Sequence, residues 1–269
     1  MSFVVSPDSY DRFMGRYSNL LAPIFADFAG VEGSQKLVEV GCGPGALTGE
    51  LVRRAGADAV TAVDPSQPFV AAAEARYPGV EVLQASAESL PFDDGRFDVA
   101  LAQLVVHHMS DPVGGVGEMS RVTRSGGTVA ACVWDLGAGR DPLSPFWRAV
   151  KRHDPEAPGE SGFPGTKEGH LVEIFESAGL GEVEGEGLTF EVEHASFEEW
   201  WEPFKLGVGP AGGYAAGLDP AGQERLAELC REELPPAPFT LSLRAWAARG
   251  RPARDHAGGV SPIPSHRQA

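Results

Sequence analysis

The chain has few cysteines, few basic residues and no long hydrophobic run, and each scarcity excludes a class of protein. Its three cysteines, Cys42, Cys132 and Cys230, are scattered and form no Cys-x-x-Cys pair. Neither a disulfide framework nor a structural zinc site is therefore expected, and no other metal site is expected. Free thiols are typical of a reducing compartment, so the predicted location is cytoplasmic.

The hydrophobic residues, 42% of 269, are enough for a full core but are not gathered into a membrane span. No stretch approaches the roughly 18–20 apolar residues that cross a bilayer. The first residues, 1–7, lack the basic start and the apolar segment of a secretory signal. We expect one α/β domain, either with insertions or with a small lid.

Lysine and arginine number 22 against 38 acidic residues, which gives a formal charge of −16. A nucleic-acid-binding protein needs a basic surface, so that class is not expected. Between Asp154 and Glu202 there are 14 acidic residues and one basic residue, Lys167. This segment is either a solvated surface or a lid that disfavours anionic substrates and admits neutral or cationic ones.

A glycine-rich turn follows the first predicted strand. Leu37–Val40 is a short apolar run typical of a buried parallel strand, and residues 41–45 then turn the chain into a predicted helix over 46–55. A second strand, 59–63, delivers Asp64, whose carboxylate is placed to accept hydrogen bonds from a ribose diol. Glycines let a ligand lie against the amides of a helix N-terminus. The pattern predicts a site for an adenosine-containing small molecule.

Several motifs in order resemble class I S-adenosylmethionine (SAM) dependent methyltransferases. They are Val-Glu-Val-Gly-Cys-Gly-Pro-Gly at 38–45, Val-Asp-Pro-Ser at 63–66, Ser-Ala-Glu-Ser-Leu-Pro-Phe at 86–92, Phe-Asp-Val at 97–99, His-His at 107–108 and Arg-Ser-Gly-Gly at 124–127. The resemblance covers about residues 10–134. The most similar branch is the small-molecule group that includes the ubiquinone and menaquinone (type 11) methyltransferases. It is specific for fold and cofactor but not for the methyl acceptor.

Alternating strands and helices imply an α/β fold with a doubly wound parallel sheet. The first five strands are predicted near 37–40, 59–63, 80–84, 97–103 and 127–134, the first four each followed by a helix. The resemblance implies a Rossmann-like sheet of seven strands, mostly parallel, with an antiparallel last strand at 239–248. The sixth strand, 182–193, is predicted to carry a bulge at Gly185–Gly187 that brings Val183 into phase.

The chain is expected to divide into a core and a helical lid built from insertions. The expected parts are a SAM-binding core with an N-terminal covering helix (1–134), a lid loop (135–165), a core helix and the sixth strand (166–195), a helical lid insertion (196–236), the last strand (237–249) and a flexible tail (250–269). Within the lid, helices are predicted at 145–152, 197–204 and 220–234.

The resemblance implies SAM as cofactor, S-adenosyl-L-homocysteine as product, and a set of binding residues. The residues expected to contact the cofactor are Tyr10, Arg16, Tyr17, Gly41, Cys42, Gly43, Gly45, Asp64, Pro65, Ser66, Ser86, Ala87, Glu88 and Gln103. Ser86 stands where the family usually has an acidic residue. Asp64 as a helix cap, Gln103 as a packing residue and the N-terminal aromatics as a core-facing helix stripe remain alternatives.

Methyl transfer from a sulfonium depends mainly on orientation, because well-oriented groups reach effective molarities of about 10⁵–10⁸ M. His107 and His108 are the candidate catalytic residues, since an imidazole can accept a proton near neutral pH. The family uses this pair structurally, and neither is expected to be essential. Trp147, Trp201 and Phe204 are candidate substrate-binding residues, or equally a core that packs the lid onto the sheet.

The predicted function is in-line methyl transfer to a small-molecule acceptor, neutral or cationic, mainly by positioning. One alternative is a member of the same fold that binds SAM without transferring its methyl group and acts as a regulatory partner. An NAD-linked oxidoreductase is the other, and it leaves the Pro44 turn, the 86–92 segment and the His pair unexplained. The sequence does not decide the oligomeric state.

Overall fold

The computed structural model describes residues 5–253, and within them seven strands form one sheet. They are β1 (Leu37–Val40), β2 (Val60–Asp64), β3 (Glu81–Gln84), β4 (Phe97–Gln103), β5 (Thr123–Trp134), β6 (Gly181–His194) and β7 (Phe239–Arg251). The strand order is β3-β2-β1-β4-β5-β7-β6. Strands β1 to β5 are parallel, and β7 runs antiparallel to both of its neighbours. The predicted seven-stranded, Rossmann-like α/β sheet with an antiparallel last strand is confirmed.

Ten α-helices lie in the described part of the chain. They are α1 (Pro7–Tyr10), α2 (Arg16–Phe28), α3 (Ala46–Ala55), α4 (Gln67–Arg76), α5 (Pro112–Val122), α6 (Ser144–His153), α7 (His170–Ser177), α8 (Phe197–Trp201), α9 (Gly209–Gly217) and α10 (Pro220–Glu233). A π-helical turn, Asp11–Gly15, joins α1 to α2. Side-chain caps fix several starts: Asp111 accepts from the Gly114 amide and Asp219 from the Gly222 amide.

The central strands bury both of their faces, which explains their nearly unbroken apolar sequence. Along β4, Val99 and Leu101 belong to one core cluster, whereas Ala100 and Ala102 belong to another on the opposite face. The first cluster contains residues of α2, α3 and the lid helices, and the second contains residues of α5 and α7. The sheet therefore separates two cores, and the lid is continuous with one of them.

The third strand is not followed by the helix that the sequence predicted. Residues 85–96 form turns with one isolated bridge, Ser86 to Ser89. Pro91 and the Asp-Asp-Gly sequence at 93–95 break helical continuity there. The chain therefore connects β3 to β4 through turns rather than through a helix.

Strand β6 carries its irregularity at a different place from the predicted one. The β6–β7 register is continuous from Glu184 to His194, and the shift lies between Gly181 and Glu184. The bulge predicted at Gly185–Gly187 is therefore wrong. Val183 needs no correction of phase, because it faces the core opposite to that of Leu188.

The predicted lid insertion is helical, but it contains one helix more than expected. Helix α9 was missed because Gly-Pro-Ala-Gly-Gly has low intrinsic helix propensity. Strand β7 extends through Gly250 and Arg251, the first residues of the predicted tail. Residues 254–269 of that tail lie outside the described part of the chain. Within 5–253, no helix is long and apolar enough to cross a membrane.

Candidate functional site

A cleft of about 360 Å³ lies at the carboxyl ends of β1, β2 and β4, where open parallel sheets bind ligands. Ten of the fourteen residues expected to contact a cofactor line it together. The lining residues are Tyr10, Gly41, Gly43, Asp64, Pro65, Ser66, Phe69, Ser86, Ala87, Glu88, Gln103, Leu104, Val105, His108, Met109 and Ser110. The structure thus brings the N-terminal segment, the glycine turn and the ends of three strands to one site.

The glycine turn after β1 depends on left-handed backbone conformations. Gly41, Gly43 and Gly45 have φ values of 75°, 53° and 99°. A Cβ on Gly41 would lie 2.4 Å from Val105 Cγ2, and one on Gly45 would lie 2.5 Å from Tyr77 Cε2. At Gly43 the nearest atom is Tyr10 Cε1, 3.9 Å away, so the backbone there stays open to the cleft.

Asp64 ties the two turns of the cleft together. Its side chain is only 6% exposed; Oδ2 accepts a hydrogen bond from the Gly43 amide at 2.9 Å and Oδ1 accepts one from the Ser66 amide at 2.8 Å. Burial raises the pKa of this carboxyl, against the opposing effect of the two amides. Each carboxylate oxygen has a second lone pair, so Asp64 can also accept hydrogen bonds from a ligand.

Gln103 ends β4 and brings an unused acceptor to the cleft. Its Nε2 donates to the Ser18 carbonyl at 3.2 Å, whereas its buried Oε1 has no hydrogen-bond partner among residues 5–253. Beneath the turn, Glu39 accepts a hydrogen bond from Thr48 Oγ1 and does not line the cleft. Burial raises the pKa of Glu39 to about 8.

A carboxylate lies at the rim of the cleft despite the serine at position 86. The Ser86 hydroxyl donates to Glu88, and Glu88 Oε1 accepts from the Ser110 amide at 2.9 Å. Both side chains line the cleft. The carboxylate of Glu88 therefore lies beside the Ser86 hydroxyl on the cleft lining.

A second, smaller chamber of about 40 Å³ adjoins the cleft. The two share the lining residues Tyr10, Leu104 and His108. The other residues of the chamber are Phe13, Met14, His107, Trp134, Leu136, Leu143, Glu160, Val208, Gly209, Pro210 and Ala211. The lid loop and the start of α9 thus close over the chamber, while the cleft is built from the sheet.

His107 and His108 lie at this boundary, with ring centroids 3.8 Å apart. Burial and the neighbouring His108 lower the pKa of His107 well below its usual value. Burial likewise lowers the pKa of His108 to about 4. Both imidazoles are therefore neutral near pH 7, and both are weaker bases than an exposed histidine.

The structure does not bring four of the expected cofactor residues to the cleft. Arg16 forms an ion pair with Glu199 at 2.6 Å, which ties the covering helix to the lid. Tyr17 is buried with its hydroxyl 3.4 Å from His194 Nε2. Cys42 and Gly45 lie within the turn but off the lining.

The three expected substrate residues also lie off both linings. Trp201 and Phe204 are buried in the lid, where Phe204 stacks on Phe146 with ring centroids 4.6 Å apart. Aromatic residues at helical spacing bury one another here, so the packing alternative describes their position. Trp147 donates from Nε1 to Glu160 at 2.7 Å, outside the chamber.

Sequence reasoning missed Glu160 and Trp134. Glu160 lies in a loop without periodicity and is one of many acidic residues in its segment, so no pattern singled it out. Trp134 ends β5, and strand ends of this kind are where ligands bind in parallel sheets. The same strand-end rule could therefore have identified Trp134 from the sequence.

Residues 38–131 match the family model of a methyltransferase domain. Curated relatives include malonyl-[acyl-carrier protein] O-methyltransferase of Pseudescherichia vulneris, 36% identical over 115 residues, which are 42% of this chain and 44% of the relative. Demethylmenaquinone methyltransferase of Chlorobaculum tepidum is 36% identical over 96 residues, 36% of this chain and 39% of the relative. The chain thus matches less than half the length of these two relatives.

Solved structures with the same fold cover most of the chain. YcgJ from Bacillus subtilis has a TM-score of 0.56 and 19% identity, covering 88% of this chain and 98% of that one. The [4+2]-cyclase SpnF has a TM-score of 0.53 and 21% identity, with coverages of 87% and 82%. These likenesses show the fold, and the family match confirms the resemblance for the central part of the chain.

Proposed function

We propose that this protein is a SAM-dependent methyltransferase that acts on a small molecule, because residues 38–131 match the family model of a methyltransferase domain. The observation that carries the proposal is the Asp64 carboxylate, held between the Gly43 and Ser66 amides on the wall of the cleft. The family match covers about a third of the chain, residues 38–131 of 269. The activity of the whole chain is therefore proposed here and does not follow from the match alone.

Three features of the cleft fit the cofactor. Asp64 has lone pairs left for a ribose diol. Gln103 Oε1 is a buried acceptor without a partner in the described chain, and the amino group of a methionyl moiety would supply the missing donor. The open backbone at Gly43 leaves room for the ligand against the turn.

SAM supplies an activated methyl group, so the protein's own residues have to bind and orient rather than activate. Tyr10, Leu104 and His108 separate the cleft from the smaller chamber, and we assign the chamber to the reacting end of the acceptor. Orientation of the two ligands across such a boundary supports transfer by positioning. We place this activity in the cytoplasm, since Cys42, Cys132 and Cys230 are free buried thiols.

A second function within this fold is SAM binding without transfer. The likeness to a cyclase makes it concrete, because one fold hosts different chemistries. The chamber beside the cleft favours transfer, since a purely regulatory SAM-binding protein needs no second compartment at that wall. Mass spectrometry of protein incubated with methyl-labelled SAM and a metabolite extract separates the two: a labelled small molecule supports transfer.

Titration calorimetry with SAM tests the cofactor site. Asp64→Asn is expected to weaken SAM binding by about tenfold or more, the usual effect of losing a hydrogen bond to a charged group. Asp98→Asn is the matched control, because Asp98 also accepts a backbone amide, that of Lys36 at 2.7 Å, away from the cleft lining. Equal affinities in the two variants would remove Asp64 from the binding site. Parent protein that binds NAD⁺ and not SAM would overturn the proposed function itself.

A further inference from the structure

Glu160 is a buried carboxylate at the chamber that the cofactor cleft does not explain. Its side chain is 4% exposed, and the described hydrogen bond to it comes from Trp147 Nε1 to Oε2 at 2.7 Å. Of the 14 acidic residues between Asp154 and Glu202, it is the one that lines the chamber. Taking a carboxyl out of water is costly unless a partner compensates, and one neutral indole N–H is a small compensation.

Two other polar groups at the chamber lack partners. Trp134 Nε1 and His107 Nδ1 are buried, and neither has a hydrogen-bond partner in the stretch 5–253. Buried polar groups are paired in the great majority of proteins, and exceptions call for a ligand or another explanation. Glu160, Trp134 and His107 come from the lid loop, from β5 and from the turn after β4. Three distant segments thus bring polar groups to one small space with apolar walls.

The chamber holds about 40 Å³, which is room for roughly three water-sized probes. It therefore takes the end of a molecule rather than a whole one. Glu160 and Leu136 also line a groove of about 610 Å³ outside the lid loop. The chamber therefore shares lining residues with both the groove and the cofactor cleft.

We propose that Glu160 anchors the methyl acceptor by accepting a hydrogen bond from an O–H or N–H at its reacting end, a hydroxyl or an amine in its neutral form, whose lone pair is free to attack the methyl carbon. The acceptor's reacting end is then a hydroxyl or an amine on an apolar frame, and the remainder of the molecule lies in the outer groove. This assignment rests on the proposed function, because it takes the chamber to be the acceptor site. Glu160 is a specificity-determining residue in this scheme, and a carboxylate or phosphate at the reacting end is rejected by like charge.

The charged and titratable groups around Glu160 fit this role. Asp141, from the loop before α6, adds to the effect of burial, and together they raise the pKa of Glu160 to about 7. His107, His108 and Tyr10 share the chamber wall, and no arginine or lysine in the described chain forms an ion pair with Glu160. The carboxyl is therefore available as an acceptor and ionises near neutral pH.

Fragment binding to the full-length protein tests the anchor. Phenol and benzylamine are the donor probes, and toluene is the probe without a donor; each is titrated by calorimetry with and without S-adenosyl-L-homocysteine. Glu160→Gln is expected to weaken phenol and benzylamine at least tenfold while leaving toluene unchanged. Lowering the pH from 8 to 6 should weaken benzylamine binding to the parent, because the protonated carboxyl no longer attracts an ammonium. Phenol binding should weaken in the same direction, because a neutral carboxyl, like the glutamine amide, is a weaker acceptor than a carboxylate.

Trp147 lines the outer groove but not the chamber, so for a fragment that fits the chamber Trp147→Phe separates anchoring from the structural hydrogen bond to Glu160. It removes the internal hydrogen bond to Glu160 and keeps the carboxylate, so phenol affinity should stay within about threefold of the parent. Equal losses in Trp147→Phe and Glu160→Gln would mean that Glu160 only pins the loop, which overturns the proposal. So would the failure of both donor probes to bind the parent, or equal binding of phenol and toluene. Parent protein that binds the fragments but does not bind S-adenosyl-L-homocysteine would overturn the proposed function instead.

Discussion

His107 and His108 lie where a general base would stand, but burial weakens both. The pKa of His108 falls to about 4, and that of His107 lies well below the usual value. A general base contributes about 10²–10⁴-fold, and it is most effective when its pKa lies near the working pH. These lowered pKa values therefore favour catalysis by orientation over proton transfer to a histidine.

Replacing either histidine by glutamine tests this weakness. We expect His107→Gln and His108→Gln each to lower kcat by less than about tenfold, because glutamine keeps a polar side chain of similar size. Turnover against pH is measured once an acceptor is in hand, with SAM affinity as the control. A loss above about 10²-fold at unchanged SAM affinity, together with a vanished pH-rate limb, would identify that histidine as the base.

Residues at strand ends could be predicted from the sequence, whereas residues whose partners are distant could not. Asp64 and Gln103 follow from the rule that ligands bind at the carboxyl ends of parallel strands, and both line the cleft. Arg16 carried an equally reasonable expectation, but its partner Glu199 lies 183 positions away. A long-range ion pair of this kind leaves no local signal.

At the scale of elements, the lid is held by an aromatic cluster, defined as Phe13, Phe146, Trp200, Trp201 and Phe204. Phe204 lies within ring-centroid distances of 4.6 Å from Phe146, 4.7 Å from Trp200 and 5.2 Å from Phe13. The cluster thus joins the π-helical turn Asp11–Gly15, α6, α8 and the turn after α8. The lid therefore packs onto the same core as the sheet and α2.

Replacing Phe204, at the centre of this cluster, should lower turnover more than it lowers the affinity for SAM. Phe204→Leu keeps an apolar side chain, and we expect turnover to fall while affinity for SAM stays within about threefold, since Phe204 lines neither cavity. Phe175→Leu is the control, because Phe175 is equally buried but belongs to the core on the opposite face. Calorimetry and turnover at a temperature where all variants are folded give the comparison. Similar losses of turnover in both variants would mean that the lid cluster has no special link to the acceptor.

Elements with strong apolar periodicity could be predicted, and elements made by context could not. Strands β1 and β4 have the predicted bounds, since buried parallel strands are continuous apolar runs. Helix α9 depends on its neighbours: Ala211 and Ala215 are buried in the lid, and tertiary packing outweighs the cost of its glycines. The position of the β6 bulge likewise follows from pairing with β7, which the sequence of β6 alone does not contain.

At the scale of the whole molecule, buried carboxyls and buried histidines oppose one another in pH dependence. His107, His108 and His194 all have lowered pKa values in the folded state, so they cost stability only as pH falls below about 6.5. Glu39 and Glu160 have raised pKa values, about 8 and about 7, and act at higher pH. Above pH 6.5 the carboxyls set the slope.

Stability should therefore fall as pH rises from 6.5 to 8. An unfolded glutamate ionises near pH 4.3, whereas Glu39 keeps its proton in the folded state until about pH 8, so the folded state binds more protons throughout this window. Glu39 alone should then remove about 2 kcal/mol of unfolding free energy over the window. Glu39→Gln cannot ionise but keeps an acceptor for Thr48, so in urea titrations the fall in free energy between the two pH values should shrink by about 2 kcal/mol, which leaves the smaller contribution of Glu160. Glu50→Gln is the control: the pKa of Glu50 is held at about 2, chiefly by its hydrogen bond from Arg53, so this carboxylate is ionised in both states and its loss leaves the slope unchanged. Parent protein that is equally stable at pH 6.5 and 8, or a Glu39→Gln variant with the parent's slope, would contradict a neutral carboxyl beneath the glycine turn.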